Sequence, residues 1–279
     1  MLLHMLEAMN ERGPDSAGFA VYSQEKPGFI KMTLRAPAGA DFAALAADLG
    51  AQIDEVVPVR SIATHAVMEV PAEHWPRARA LLAQRVPEIA IVGEGTRMEV
   101  FKEVGRPSDV GARFALLHMV GSHAIGHTRM ATESAVTTDG AHPYSTGIDQ
   151  CLVHNGSLSN HNAVRRELRR EGMEFATDND TEVAAAYLTH RMRQGDDLAS
   201  ALERSLRDLD GFYTFVVGTK DGFGVLRDPI ACKPAVMAET ERYVAFGSEY
   251  RTLVDLPNIG AAHVWEPLPS KVYFWSHAS

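Results

Sequence analysis

Four short stretches carry residue types that could bind or transform a small polar molecule. Gly126-His-Thr-Arg-Met-Ala-Thr132 delivers an arginine to the end of an apolar strand, among small and hydroxyl residues. The planar guanidinium fork suits bidentate capture of a carboxylate. His154-Asn-Gly-Ser157 reads as a second strand end. An Asn amide and an adjacent Gly N–H can converge on one oxygen, the requirement for holding the oxyanion of an attacked carbonyl. The competing reading is a tight turn, for which Asn-Gly is favoured. Asp178-Asn-Asp-Thr-Glu182 opens an apolar helix, where Asp180 or Thr181 could cap the helix or Asp180 could receive an ammonium group. The fourth is a histidine concentration: six of the twelve histidines fall between His118 and His161, with Cys151 nearby. His118, His123, His127, Cys151 and His154 match no standard zinc spacing, so hydrogen-bonded loop and core histidines are expected rather than a metal site.

Taken together, a carboxylate gripper, an ammonium receiver and two oxyanion donors describe a pocket for a free α-amino acid whose side-chain carbonyl is attacked. Glutamine is such a substrate.

The elements that must position these residues follow from periodicity. Helices are predicted over Met1–Arg12, Asp41–Leu49 with Asp41 as N-cap, Pro71–Val86, Asn160–Arg170, Thr181–Arg193 and Leu198–Leu209. Strands are predicted at 19–22, 29–34, 62–70, 88–92, 98–101, 124–128, 151–154, 212–219, 222–227, 235–238, 243–246, 263–265 and 272–275. Strands in blocks with helices in blocks between them point to α+β layering rather than an alternating doubly wound sheet. Residues 61–103 suggest a small α+β insertion.

The chain has 279 residues, 46% of them hydrophobic and 23% charged, with formal net charge −9. That balance predicts a folded core. It argues against a sequence-independent nucleic-acid or anionic-membrane binder. No apolar run reaches membrane-span length and no signal-peptide pattern opens the sequence. Two cysteines, Cys151 and Cys232, fit a reducing compartment, and a cytoplasmic protein is expected.

Seven stretches in order resemble class II glutamine amidotransferases of the N-terminal-nucleophile hydrolase fold. They are Arg12-Gly-Pro-Asp-Ser-Ala-Gly18, Gly126 to Thr132, Ala141-His-Pro-Tyr144, Leu152-Val-His-Asn-Gly156, Asp180-Thr-Glu182, Arg227 to Pro234 and Gly247-Ser-Glu249. The whole chain is most similar to stand-alone amidotransferase subunits of glutamate-synthase-like complexes, including that of N-methylglutamate synthase. The resemblance implies a single domain over 1–279, a four-layer αββα sandwich with an α+β insertion at about 40–110. It implies that Arg129 binds the glutamine α-carboxylate, Asp180 the α-ammonium, and Asn155 with Gly156 the oxyanion. Thr128, His154 and Thr132 lie beside these; Arg12 and Asp15 belong to a pocket-shaping loop, and His142 with Pro143 to the loop facing it. No cofactor or metal is expected in this subunit. An FMN-containing synthase-like partner would consume the ammonia, joined by a β-helical subunit.

The family's nucleophile is a cysteine at the mature N-terminus, and this sequence opens Met1-Leu-Leu-His. A native segment reading Met-Cys-Gly ahead of Met1 is expected. The alternatives are a non-catalytic subunit that binds glutamine or glutamate, and a purely structural partner.

Overall fold

The structure, a computed structural model, describes residues 1–130 and 136–276. In chain order the elements are α1 (Leu2–Glu7), β1 (Ser16–Tyr22), β2 (Phe29–Arg35), α2 (Phe42–Ile53), β3 (Val59–Ile62), β4 (His65–Pro71), α3 (Trp75–Arg85), β5 (Ala90–Gly95), β6 (Met98–Val104), α4 (Pro107–Arg113) and β7 (His123–Arg129). There follow β8 (Tyr144–Gly147), β9 (Gln150–Leu158), α5 (His161–Arg170), α6 (Asp180–Arg193), α7 (Leu198–Asp208), β10 (Gly211–Thr219), β11 (Gly222–Arg227), β12 (Val236–Glu239), β13 (Val244–Gly247), β14 (His263–Trp265) and β15 (Tyr273–Ser276).

Helix and sheet mix in an α+β arrangement. One sheet has the order β6-β1-β7, a second β15-β11-β10-β9-β8, and a third β13-β12-β14. Strand β1 is buried on both faces, which is why it reads as a continuous small and apolar run. Ala17, Phe19 and Val21 pack with Leu6, Phe101, Val110 and Phe114 beneath α1 and α4. Ala20 and Tyr22 pack the other way, with Ile125 of β7 and with Cys151, Val153 and Val216 of the five-stranded sheet. That second sheet turns Leu152, Leu158, Tyr213 and Phe215 towards α5, α6 and α7. Each strand thus alternates between two cores, as the pleat requires.

The fourth sheet, β3-β4-β2-β5, draws on residues 29–95 in the sequence order β2-α2-β3-β4-α3-β5, a split βαβ unit. Met32, Leu34, Met68 and Val70 meet Leu49 and Leu82 of its two helices. Met98–Val104 does not belong to it but pairs with β1. Asp41 caps α2 as predicted, its Oδ1 accepting from Ala44 N at 2.9 Å.

Several boundaries differ from the periodicity reading. The helix at the chain start ends at Glu7, and turns continue it to Gly13, whose N–H donates to Met9 O. The predicted strand 62–70 is a hairpin, folded back at Ala63 and Thr64 with Ala63 at φ +52°. No Gly, Asn or Pro marks that turn. Periodicity also misses strand β8 and helix α4, which are both short. No helix of the described residues is long and apolar enough to cross a membrane.

Asp149, buried and at φ +53°, ties the layers together. Its carboxylate accepts from the N–H groups of Thr96, Arg97 and Met98 and from Thr96 Oγ1, all at 2.8–2.9 Å. Removing it strands three backbone donors. Asp149→Ala is therefore expected to lose roughly 3–5 kcal/mol of stability, read from the urea midpoint.

Candidate active site

Strands β7 and β9 and the start of α6 converge on a cavity of about 1560 Å³. Arg129, Thr128, His127, His154, Asn155, Gly156, Asp180, His142 and Arg12 all line it. Residues separated widely in sequence are therefore brought to one hollow. Asp15 does not line the cavity; its backbone brackets Arg129, with Asp15 N donating to Arg129 O at 3.1 Å. Thr132 lies outside the described residues.

The Asn155-Gly156 pair is neither a turn nor a strand end. Strand β9 continues through it to Leu158, with Asn155 opposite Thr214 and Gly156 opposite Tyr213. Strand alternation decides where each group points. Cys151 and Val153 face the first sheet, so the Asn155 side chain projects on that same face, into the cavity. Among the described residues its amide has no hydrogen-bond partner.

The backbone of Gly156 points differently. Tyr213 spends its N–H and C=O on Asp228, at 3.1 and 3.0 Å, on the side away from β9. Its partner Gly156 is then at a non-hydrogen-bonded position of the β9–β10 ladder, with its N–H turned to the opposite edge. On that edge β8 reaches only as far as Tyr144, opposite Leu152. Beyond it, His154 O accepts from His127 Nε2 at 3.0 Å, and Leu158 N donates to Asp180 Oδ2 at 2.9 Å. Gly156 N lies between these two. Only glycine fits there: φ is +146°, and a Cβ would lie 1.9 Å from Phe212 O.

Asn179, not Asp180 or Thr181, caps α6: its Oδ1 accepts from Thr181 N at 2.8 Å. Capping by the preceding residue leaves the Asp180 carboxylate out of the cap, at the positive end of the helix, with Oδ2 accepting from Leu158 N. Glu182 holds the preceding loop by accepting from Ala176 N and Thr177 N at 2.7 and 2.8 Å.

Arg129 is 9% exposed and its guanidinium lies against Gly140, where a Cβ would meet Nη1 at 3.2 Å. The loop bearing Gly140 is pinned from behind by Lys102. Its buried ammonium donates to Ala141 O at 2.9 Å and Asp139 O at 3.2 Å, and sits 4.5 Å over the Tyr144 ring. Burial pushes the Lys102 amine down to about 8. Arg35 of the inserted sheet adds a 2.6 Å bond to Asp139. Arg12 pairs with Glu249 at the cavity rim, where Arg251 also bonds that carboxylate at 2.8 Å.

His127, His142 and His154 are held in their neutral forms by their surroundings. Burial pulls His127 and His154 down to about 4, and His142 well below its usual value. The rings of His127 and His142 stack at 4.1 Å. Among the described residues, these histidines and Cys151 form no metal-competent cluster; the one such group is Glu55, Glu73 and His74 on the surface. Cys151 is buried, 3.4 Å from the Tyr22 hydroxyl, and burial pushes its thiol up to about 11. Cys232 is exposed and outside the cavity lining.

The family model described as a glutamine amidotransferase domain matches residues 127–255, the span holding Arg129, Asn155, Gly156 and Asp180. The glutamine amidotransferase-like protein GlxB of Rhizobium meliloti (strain 1021) is 62% identical over 279 residues, covering 99% of this chain and 92% of that protein. The chain belongs to the glutamine amidotransferase family. A shorter likeness, 33% identity over 174 residues, links it to the glutamine–fructose-6-phosphate aminotransferase (isomerizing) of Mycobacterium bovis, covering 60% of this chain and 28% of that enzyme. The fold matches glutamine phosphoribosylpyrophosphate amidotransferase of B. subtilis with TM-score 0.62 at 19% identity, over 98% of this chain and 44% of that one.

Two features around this cavity escape a reading of the sequence. Thr181 reads as a helix cap, and nothing around Lys102 distinguishes it from a surface lysine.

Proposed function

We propose that the chain is a class II glutaminase subunit that converts glutamine and water to glutamate and ammonia. The observation that carries this reading is the convergence of Arg129, Asp180, Asn155 and Gly156 on one cavity. Arg129 takes the α-carboxylate and Asp180 the α-ammonium. A thiolate attacks the side-chain amide carbon, and the resulting oxyanion is held by the Asn155 amide and Gly156 N–H. The amide nitrogen takes up a proton and leaves as ammonia. Water then cleaves the glutamyl thioester, regenerating the thiol.

Neither Cys151 nor Cys232 meets the substrate in this reading, so the thiol comes on another segment. The cavity supports a place for it. Strands β7 and β13 are both sheet edges and both line the hollow. Leu2, Met5 and Leu6 of α1 line it too, as do Val153, Val216 and Phe223 of the five-stranded sheet. An extended segment between the two edges would pair with both, and β7 ends at Arg129. With that segment seated, the layers stack as an αββα sandwich. We assign it to residues ahead of Met1, carrying the cysteine. The ammonia would pass to a glutamate-synthase-like or N-methylglutamate synthase partner holding FMN, with a β-helical third subunit. What supports that assembly is the sequence resemblance.

The test is intact mass and glutaminase assay of the protein purified from its source. A mass above that of these 279 residues by a Cys-bearing segment, with ammonia released from glutamine, is the expected result. A matching mass without ammonia release would overturn the catalytic reading. It would leave the second reading, a subunit that binds glutamine or glutamate without hydrolysis, which the placement of the two cysteines favours.

A further inference from the structure

Thr181 is the second residue of α6 and is fully buried. Its hydroxyl lies 2.7 Å from His142 Nε2 and 3.1 Å from His154 Nδ1. A hydroxyl has one proton to give, so it donates to one ring and accepts from the other. Both imidazoles are neutral, since burial disfavours their charged forms. Each ring therefore carries one proton, and the two nitrogens facing Thr181 must differ.

Asp180 makes the choice. Its Oδ1 lies 3.7 Å from His154 Nδ1, and a carboxylate favours an N–H over a lone pair directed at it. His154 then carries its proton on Nδ1 and donates to Thr181. Thr181 donates to His142 Nε2, and the His142 proton resides on Nδ1. One hydroxyl thus sets two tautomers.

The three residues it joins belong to three parts of the site. His154 immediately precedes Asn155 and Gly156 on β9. His142 belongs to the loop whose Gly140 backs the Arg129 guanidinium. Thr181 itself follows Asp180. We propose that Thr181 is a positioning residue for glutamine: its hydroxyl fixes the tautomers of His142 and His154 and so holds Asp180, the Asn155–Gly156 segment and the loop behind Arg129 in register. This rests on the glutaminase reading for its consequence, while the tautomer assignment rests on the hydrogen-bond geometry and the burial of the two rings.

The experiment uses the full protein with ¹⁵N-labelled histidine at pH 7, without ligand, alongside calorimetric titration with L-glutamine and L-glutamate and steady-state ammonia release. In the native protein both His142 and His154 are expected as Nδ1–H tautomers. Thr181→Ser keeps both tautomers and the binding. Thr181→Val lets at least one ring revert to Nε2–H and lowers kcat/KM about 10²-fold, the scale expected for displacements of about 1 Å. A native spectrum with either ring as Nε2–H overturns the proposal, whether or not the Val variant folds. So does a folded Val variant with native tautomers and native affinity. If the native protein releases no ammonia, the glutaminase reading fails, and the tautomers and amino-acid affinities still decide the role of Thr181.

Discussion

Asn155→Ala is expected to lower kcat for glutamine hydrolysis about 10²–10³-fold, a loss of about 3–4 kcal/mol of transition-state stabilisation, and to leave KM nearly unchanged. The split follows from where the amide points. Asn155 projects from β9 on the cavity face, opposite Thr214, and its side chain bonds nothing among the described residues. It therefore contributes little to holding the strand. In the ground state the glutamine carbonyl is neutral and the amide gains little from meeting it. In the proposed mechanism charge collects on that oxygen as the thiolate adds, and a donor already fixed by the ladder stabilises it without reorganising. The second donor, Gly156 N–H, survives the substitution, so activity falls without vanishing. Steady-state ammonia release measures the effect. Equal rises in KM and falls in kcat would place Asn155 on the bound substrate's ground state instead.

This site is partly readable from residue types. Arg at a strand end, an adjacent Asn-Gly and Asp at a helix start point to a carboxylate, an oxyanion and an ammonium, and all three groups line one hollow. The local geometry is harder to read. Asn-Gly carries a strong turn signal, yet β10 runs alongside and keeps both residues in a strand, because a residue without a Cβ lets the Phe212 carbonyl approach. Asp180 reads as a cap because capping residues are indistinguishable in a row of Asp, Asn and Thr; Asn179 takes the role through Thr181 N. The α+β layering follows from apolar periodicity. The hairpin at Ala63–Thr64 does not, because its turn is imposed by the pairing of β3 with β4 rather than by turn residues. Lys102 is hidden for a similar reason: its value comes from three distant carbonyls that only the folded loop assembles.

The same burial that keeps the histidines neutral should make the protein acid-sensitive. Burial lowers His65, His127 and His154 to about 4 in the folded chain and pulls His142 well below its ordinary value. Unfolded, each would titrate near 6.5. Below about pH 6.5 the unfolded chain binds protons that the folded chain refuses, so stability is complete above that value and is lost as pH falls towards 4. Each of the three imidazoles lowered to about 4 accounts for roughly 3 kcal/mol across that window. Several together rival the whole of a typical folding free energy, about 5–15 kcal/mol. Lys102 acts on the other side. Its folded value of about 8, lowered by burial, lies below the ordinary lysine range near 10.4, so its contribution to stability rises as pH climbs between the two. Calorimetric melting should therefore show a midpoint that climbs steeply from pH 4.5 to pH 6.5 and then levels, because above pH 8 the gain from Lys102 is opposed by the Cys151 thiol, which burial pushes up to about 11. A melting temperature that stays flat between pH 6.5 and 4.5 would mean that the histidines are already charged in the fold, and with charged rings Thr181 could not accept from one and donate to the other.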